Sequence, residues 1–162
     1  MAEAIDTFIK LVKHPVKFRM FLMTRLPIAF FCGVRVRDIN RQQCIVTVPY
    51  KWLSQNPFRS TYFACLSMAA EMSTGALAMA HSYQRKPGIS MLVVKVESEY
   101  FKKATGRTRF TCAEGHILQE AIEQCTVTGE PTIARVRSAG RNANDELIAD
   151  FYITWSFKAR KE

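Results

Sequence analysis

The sequence has no Cys-x-x-Cys pair, no Gly-x-Ser-x-Gly, and neither the Gly-x-x-x-x-Gly-Lys nor the Gly-x-Gly-x-x-Gly phosphate loop. The first absence and the odd count of five cysteines (Cys32, Cys44, Cys65, Cys112, Cys125) argue against a disulfide framework and a structural zinc site. They are expected to be buried thiols in a reducing compartment. The second removes the nucleophile elbow of a serine hydrolase, and the third the usual nucleotide cradles. None of His14, His81 and His116 is spaced with a cysteine or carboxylate as a metal ligand would be, so no metal site is expected. Glycine (7) and proline (6) are too few for a fibrous or low-complexity chain. The start Met-Ala-Glu-Ala-Ile-Asp lacks the basic region and cleavage site of a signal peptide, which predicts a cytoplasmic protein.

Acid is also scarce. Lys and Arg number 23 against 14 Asp and Glu, a formal charge of +9. A nucleic acid, an anionic membrane or a phosphate-bearing ligand could answer such a charge. The basic residues are scattered, among them Lys10, Lys17, Arg35, Arg59, Lys95, Arg109, Arg135 and Arg160, and form no nucleic-acid module. No nucleic-acid partner is therefore expected.

The 162 residues, 48% of them apolar, suit one domain with a real core. Residues 5–31 carry Phe8, Leu11, Val12, Phe18, Phe21, Leu22 and Leu26 at helical spacing with basic residues between them. Pro15 and Pro27 predict two short helices rather than one long one. Such a basic amphipathic segment either lies on a membrane or packs on its own domain; packing is the expectation. Two short strands follow around Val34–Val36 and Cys44–Val48, with Asp38 to Arg41 as their turn. Residues 89–104, 107–112, 132–138 and 147–157 are also expected as strands, residues 115–125 as a short helix and 140–146 as a hairpin turn.

Residues 60–80 hold a single charge, Glu71, and no Val or Ile, a helix composition with Ser60 or Thr61 as candidate cap. The run is long enough to span a bilayer, but its Ser and Thr and the central Glu exclude a stable span. A helix buried on most of its circumference is expected, with Ser60, Ser67, Glu71 and Thr74 on one stripe. The fold class is therefore α+β, one long helix wrapped by an antiparallel sheet of about five to six strands, with extra N-terminal helices. A carboxylate on such a helix is either functional or paired with an arginine such as Arg35, Arg107 or Arg135.

The stretch Asn56-Pro57-Phe58-Arg59-Ser60-Thr61-Tyr62-Phe63-Ala64, with Glu71 fifteen residues after Asn56, resembles the helix entry of hotdog-fold acyl-CoA thioesterases, Asn-x-x-Gly-x-x-His-Gly-Gly with a later Asp or Glu. Glu99 to Gly106 is similar to that superfamily's aromatic-basic-Ala-Gly strand end. The extra helices look most like its uncharacterised domain-of-unknown-function subgroup. Here Tyr62-Phe63-Ala64 stands in place of His-Gly-Gly, and Arg59 in place of the first Gly.

The resemblance implies one hotdog domain over residues 1–162, a helical segment 1–31 before a core 32–157, and a homodimer or dimer of dimers. It implies a small-molecule acyl thioester as substrate, on coenzyme A or a carrier protein, with no cofactor beyond the coenzyme A of the substrate. Glu71 would be general base or nucleophile, the Phe63 N–H the oxyanion donor, and Asn56 the group orienting water or carbonyl across a dimer interface. Tyr62, Ser67, Thr74 and Gly75 would bind the acyl part. Lys102, Lys103 and Arg107 would meet the phosphates, with Arg85 and Lys86 as second candidates. The alternative the residues leave open is a hotdog protein that binds an acyl or aromatic ligand without turning it over.

Overall fold

The computed structural model describes residues 2–160. The N-terminal segment makes three helices where two are predicted: α1 (Ala2–Lys13), α2 (Lys17–Arg25) and α3 (Pro27–Cys32). Pro15 separates the first two. His14 Nδ1 accepts the N–H groups of Val16 and Lys17, each at 3.3 Å, and so holds the start of α2. Pro27 opens a helix instead of ending one, because the first helical position needs no N–H. Gly33, at φ 82°, closes α3 in the left-handed region. The stripe packs on its own domain: Ile5, Phe8, Val12 and Leu22 are buried in the main core.

Strands β1 (Arg35–Ile39) and β2 (Cys44–Val48) follow. Asp38 and Ile39, predicted in the turn, belong to β1, and the turn is confined to residues 40–43, where Asn40 Oδ1 accepts the N–H groups of Gln42 and Gln43. A short 3₁₀ turn (Trp52–Ser54) leads to helix α4 (Phe63–Ser82). Then come β3 (Ile89–Tyr100), β4 (Thr108–Cys112), helix α5 (Gly115–Thr128), β5 (Thr132–Arg141) and β6 (Leu147–Ala159). The strands form one antiparallel six-stranded sheet in the order β1-β2-β4-β5-β6-β3, so β1 and β3 are its edges.

One face of the sheet carries Val46, Phe110, Val136, Phe151, Ile153 and Phe157, all essentially buried, and α4 lies against it. Helix α4 meets the length and composition of a membrane span, yet 67% of that stretch is buried inside the protein, which makes it the core helix of this sheet. Its polar residues are paired within the core: Ser73 Oγ and Ser138 Oγ share a hydrogen bond of 2.7 Å, tying α4 to β5. Neither Ser60 nor Thr61 caps α4. The Ser60 hydroxyl donates to Asn56 Oδ1 and the Thr61 hydroxyl to the Ala104 carbonyl, so Tyr62 is the cap residue and no side chain bonds the helix end. All five cysteines are free and buried. Burial lifts Cys112 to about 11, and burial with the adjacent Cys32 lifts Cys65 to about 12.

Candidate functional site

Glu71 lies midway along α4 and opens into a cavity of about 600 Å³. Its walls come from three directions: Phe8, Phe18, Phe21 and Leu22 of the N-terminal helices, Met72, Gly75 and Met79 of α4, and Met91 and Trp155 of the sheet. The lining is mainly apolar; Ser82, Tyr83, Gln84, Arg85 and Arg160 also reach it, and Glu71 is its one acidic group. Among the described residues Glu71 has no hydrogen-bond or ion-pair partner for its carboxylate. The arginines that might have paired with it are elsewhere: Arg135 bonds Glu97 at 3.0 Å, and Arg35 and Arg107 flank Arg37. Burial without a compensating cation holds the Glu71 carboxyl above the usual carboxylate range.

Two neighbours shape the carboxylate's position. A Cβ at Gly75 would stand 2.9 Å from Glu71 Oε1 and 3.2 Å from Trp155 Cζ2, so glycine is what lets the carboxylate and the indole meet over the helix. Thr74 is fully buried and does not line the cavity. Its hydroxyl donates to the Glu71 carbonyl at 2.9 Å and accepts Trp155 Nε1–H at 3.0 Å, which fixes the indole beside Glu71. Ser67, one turn before Glu71, is half-buried and is not part of the cavity wall. Neither Trp155 nor the N-terminal helices stood out from sequence as site elements. The alternation of β6 marked Trp155 only as a core residue, and the apolar stripe of residues 5–31 carried no sign of which surface it would roof.

The helix-entry residues form a different place. Asn56, Tyr62, Phe63, Lys102 and Lys103 line a second cleft of about 560 Å³ at the N-terminal end of α4. Asn56 Oδ1 accepts the N–H groups of Phe58 and Ser60 and the Ser60 hydroxyl, so this oxygen organises its own loop. The N–H groups of Cys65 and Leu66 both turn back to the Tyr62 carbonyl, and those of Phe63 and Ala64 are left over by the helix. The rings of Tyr62 and Phe63 stack edge to face at 4.9 Å and are about half exposed, leaving the helix end open. Phe63 and Glu71 are eight residues apart, about 12 Å along a helix axis. Within one chain they cannot touch the same carbonyl.

The basic candidates also separate. Lys102 donates to the Glu146 carboxylate. Lys103 and Arg107 share a small pocket of about 180 Å³ beside the β5–β6 turn. Arg85 is buried rather than presented to solvent: its Nε donates to the His81 carbonyl at 2.7 Å and its Nη1 to Thr126 Oγ1 at 3.3 Å, which ties the end of α4 to α5. Lys86 is exposed.

No curated protein matches the sequence. Among solved structures, the chain is similar to a Pseudomonas aeruginosa protein of unknown function described as a probable thioesterase, at TM-score 0.76 and 14% identity over 90% of this chain and 97% of that one. A Chlorobaculum tepidum protein of unknown function aligns at TM-score 0.71 and 18% identity, covering 89% and 93% of the two chains. A Haemophilus influenzae thioesterase aligns at TM-score 0.66 and 11% identity, covering 90% and 91%. With the strand order and core helix described above, these likenesses establish the hotdog fold. Residues 16–157 match the model of one family over most of the chain, and the chain belongs to that family, the Domain of unknown function (DUF4442).

Proposed function

We propose that the protein hydrolyses an acyl thioester, with the acyl group in the apolar cavity and Glu71 as the base that activates water or the nucleophile that attacks the carbonyl. One observation carries this reading: a buried carboxylate with no ion-pair partner among the described residues stands in the wall of a mainly apolar cavity. Desolvation raises its proton affinity above that of an ordinary glutamate, which makes it a stronger base. Hydrolysis adds water across the C–S bond: Glu71 takes the water proton as the C–O bond forms, then returns it to the departing sulfur, which leaves as a thiol as the C–S bond breaks.

The oxyanion donor comes from a second chain in this reading. Edge strand β3 begins at the cavity, which Ile89 and Met91 line, and ends at the helix-entry cleft, which Tyr100 lines. If β3 pairs antiparallel with its own copy, the cavity of one chain meets the helix entry of the other. Val96 and Tyr100 support such a dimer. Their partners across β6 are the buried Ile153 and Ala149, so they point to the helix-bearing face, yet they remain 47% and 45% exposed. Phe63 N–H of one chain would then face Glu71 of the other, and Asn56 would hold the helix-entry loop rather than the water.

The substitution of Tyr62-Phe63-Ala64 for His-Gly-Gly favours a second reading, an acyl-binding protein without turnover. The purified chain, assayed on a panel of acyl-CoA thioesters of rising chain length, separates the two. Hydrolysis that Glu71→Gln removes with the fold intact supports the enzyme. Ligand-induced stabilisation without product from any thioester supports the binder.

A further inference from the structure

Several arginines are held by a carboxylate: Arg41 by Asp6, Arg109 by Asp145, Arg135 by Glu97 and Arg137 by Asp150. Seven arginines have none among the described residues, and four of these, Arg19, Arg35, Arg37 and Arg107, lie together. Arg19 of α2 and Arg35 and Arg37 of β1 line a cleft of about 450 Å³ between the N-terminal helices and the sheet edge. Arg107, just before β4, is close enough to Arg37 to join Arg35 and burial in lowering its proton affinity; burial and Arg35 do the same to Arg19. Among the described residues the only acid lining the cleft, Asp38, is held by Lys13 at 2.9 Å.

The guanidinium groups are also held in place. Arg19 lies over the Phe30 ring, 4.1 Å from its centre, and its buried Nη1 has no hydrogen-bond partner. Arg37 is anchored through Nε to Thr47 Oγ1 at 2.9 Å, and its two terminal nitrogens have no acceptor among the described residues. Like charges gathered without a counter-ion repel one another and cost folding free energy. Planar guanidinium forks match the paired oxygens of a phosphate group.

We propose that this cleft binds a phosphate-bearing anion, with Arg19, Arg35 and Arg37 as its ligands and Arg107 adding charge from beside them. It is distinct from the small pocket of Lys103 and Arg107. The cleft and the Glu71 cavity share Phe18 and Leu22 as a common wall, so an anionic head and an apolar chain would sit on opposite sides of α2. The inference stands on the arginines alone, whether or not Glu71 is catalytic.

Binding rather than turnover tests it. Inorganic pyrophosphate is titrated calorimetrically, and sedimentation is measured with phosphatidylcholine vesicles with and without phosphatidic acid. The wild type is compared with Arg35→Gln/Arg37→Gln and with Lys95→Gln/Lys158→Gln, which removes the same charge from exposed positions elsewhere; matching melting temperatures verify the folds. The cleft is supported if the arginine variant weakens binding about tenfold or more while the lysine variant keeps it. Loss in the pyrophosphate arm marks a soluble phosphate ligand; loss confined to the phosphatidic-acid arm marks a lipid headgroup. The proposal is overturned if the wild type binds neither probe, or if the two variants bind alike.

Discussion

Glu71 and Gly75 occupy one turn of α4, and the Glu71 carboxylate lies 2.9 Å from where a Cβ on residue 75 would be. The carboxylate position therefore depends on a missing side chain. The same missing atom admits the edge of Trp155, which Thr74 holds by its hydroxyl.

Gly75→Ala separates position from stability. Alanine is the better helix former by about 1 kcal/mol, and the tight contact to the buried indole offsets a similar amount. Thermal unfolding is expected to change by no more than about 1 kcal/mol, while thioester hydrolysis falls at least about tenfold because the carboxylate must move. Unchanged turnover in this variant would detach the Glu71 geometry from function.

Glu71→Gln has a stability effect whose sign follows from the raised proton affinity. The folded state holds the Glu71 proton more tightly than the unfolded chain does. That contribution is fully present below the ordinary glutamate range and is lost as pH rises through the elevated folded value. Melting temperatures at a series of pH values should show the glutamine variant gaining on the wild type as pH climbs, with the difference closing in acid. Hydrolysis by the wild type should fall away on the acid side at a pH above that of an ordinary glutamate, and the variant should lose roughly 10²–10⁴-fold in kcat.

Thr74→Val keeps the shape of the residue and removes the acceptor of Trp155 Nε1–H. A buried donor left unpaired costs about 1–3 kcal/mol. Chemical denaturation is the measurement, and a loss smaller than a few tenths of a kcal/mol would mean that the indole finds another partner.

Val96→Arg tests the proposed dimer. Val96 is on the exposed edge strand and faces the helix side, so a guanidinium there is expected to oppose close pairing of two β3 strands without disturbing the core of one chain. Light scattering should show the wild type as a dimer or larger and the variant as a monomer. Hydrolysis should fall with it, since Glu71 and the α4 entry would then belong to separated chains. A monomeric variant with full activity would remove the partner's Phe63 N–H from the site.

Periodicity alone made much of the architecture legible. The alternation of Ala149, Phe151, Ile153, Trp155 and Phe157 marked the buried face of β6, and the charge-poor run around Glu71 marked the core helix. The N-terminal segment was legible as helical, but its division was not, because Pro27 starts a helix as readily as it stops one. Lys102, Arg85 and Arg107 were indistinguishable as candidate phosphate ligands, since solvation and pairing depend on residues far away in the chain: Glu146 holds the first, His81 and Thr126 the second, and Arg37 neighbours the third.

By itself the sequence determined that this is an α+β chain with one carboxylate inside an apolar helix, because side-chain periodicity and composition are local properties. The tertiary structure alone decided what surrounds that carboxylate. The N-terminal helices fold over it, Trp155 arrives from β6, and of the arginines that could have neutralised it Arg35 lies on the other side of α2 while Arg135 is held by Glu97. Such juxtapositions come from packing between elements distant in sequence, and no spacing along one element encodes them.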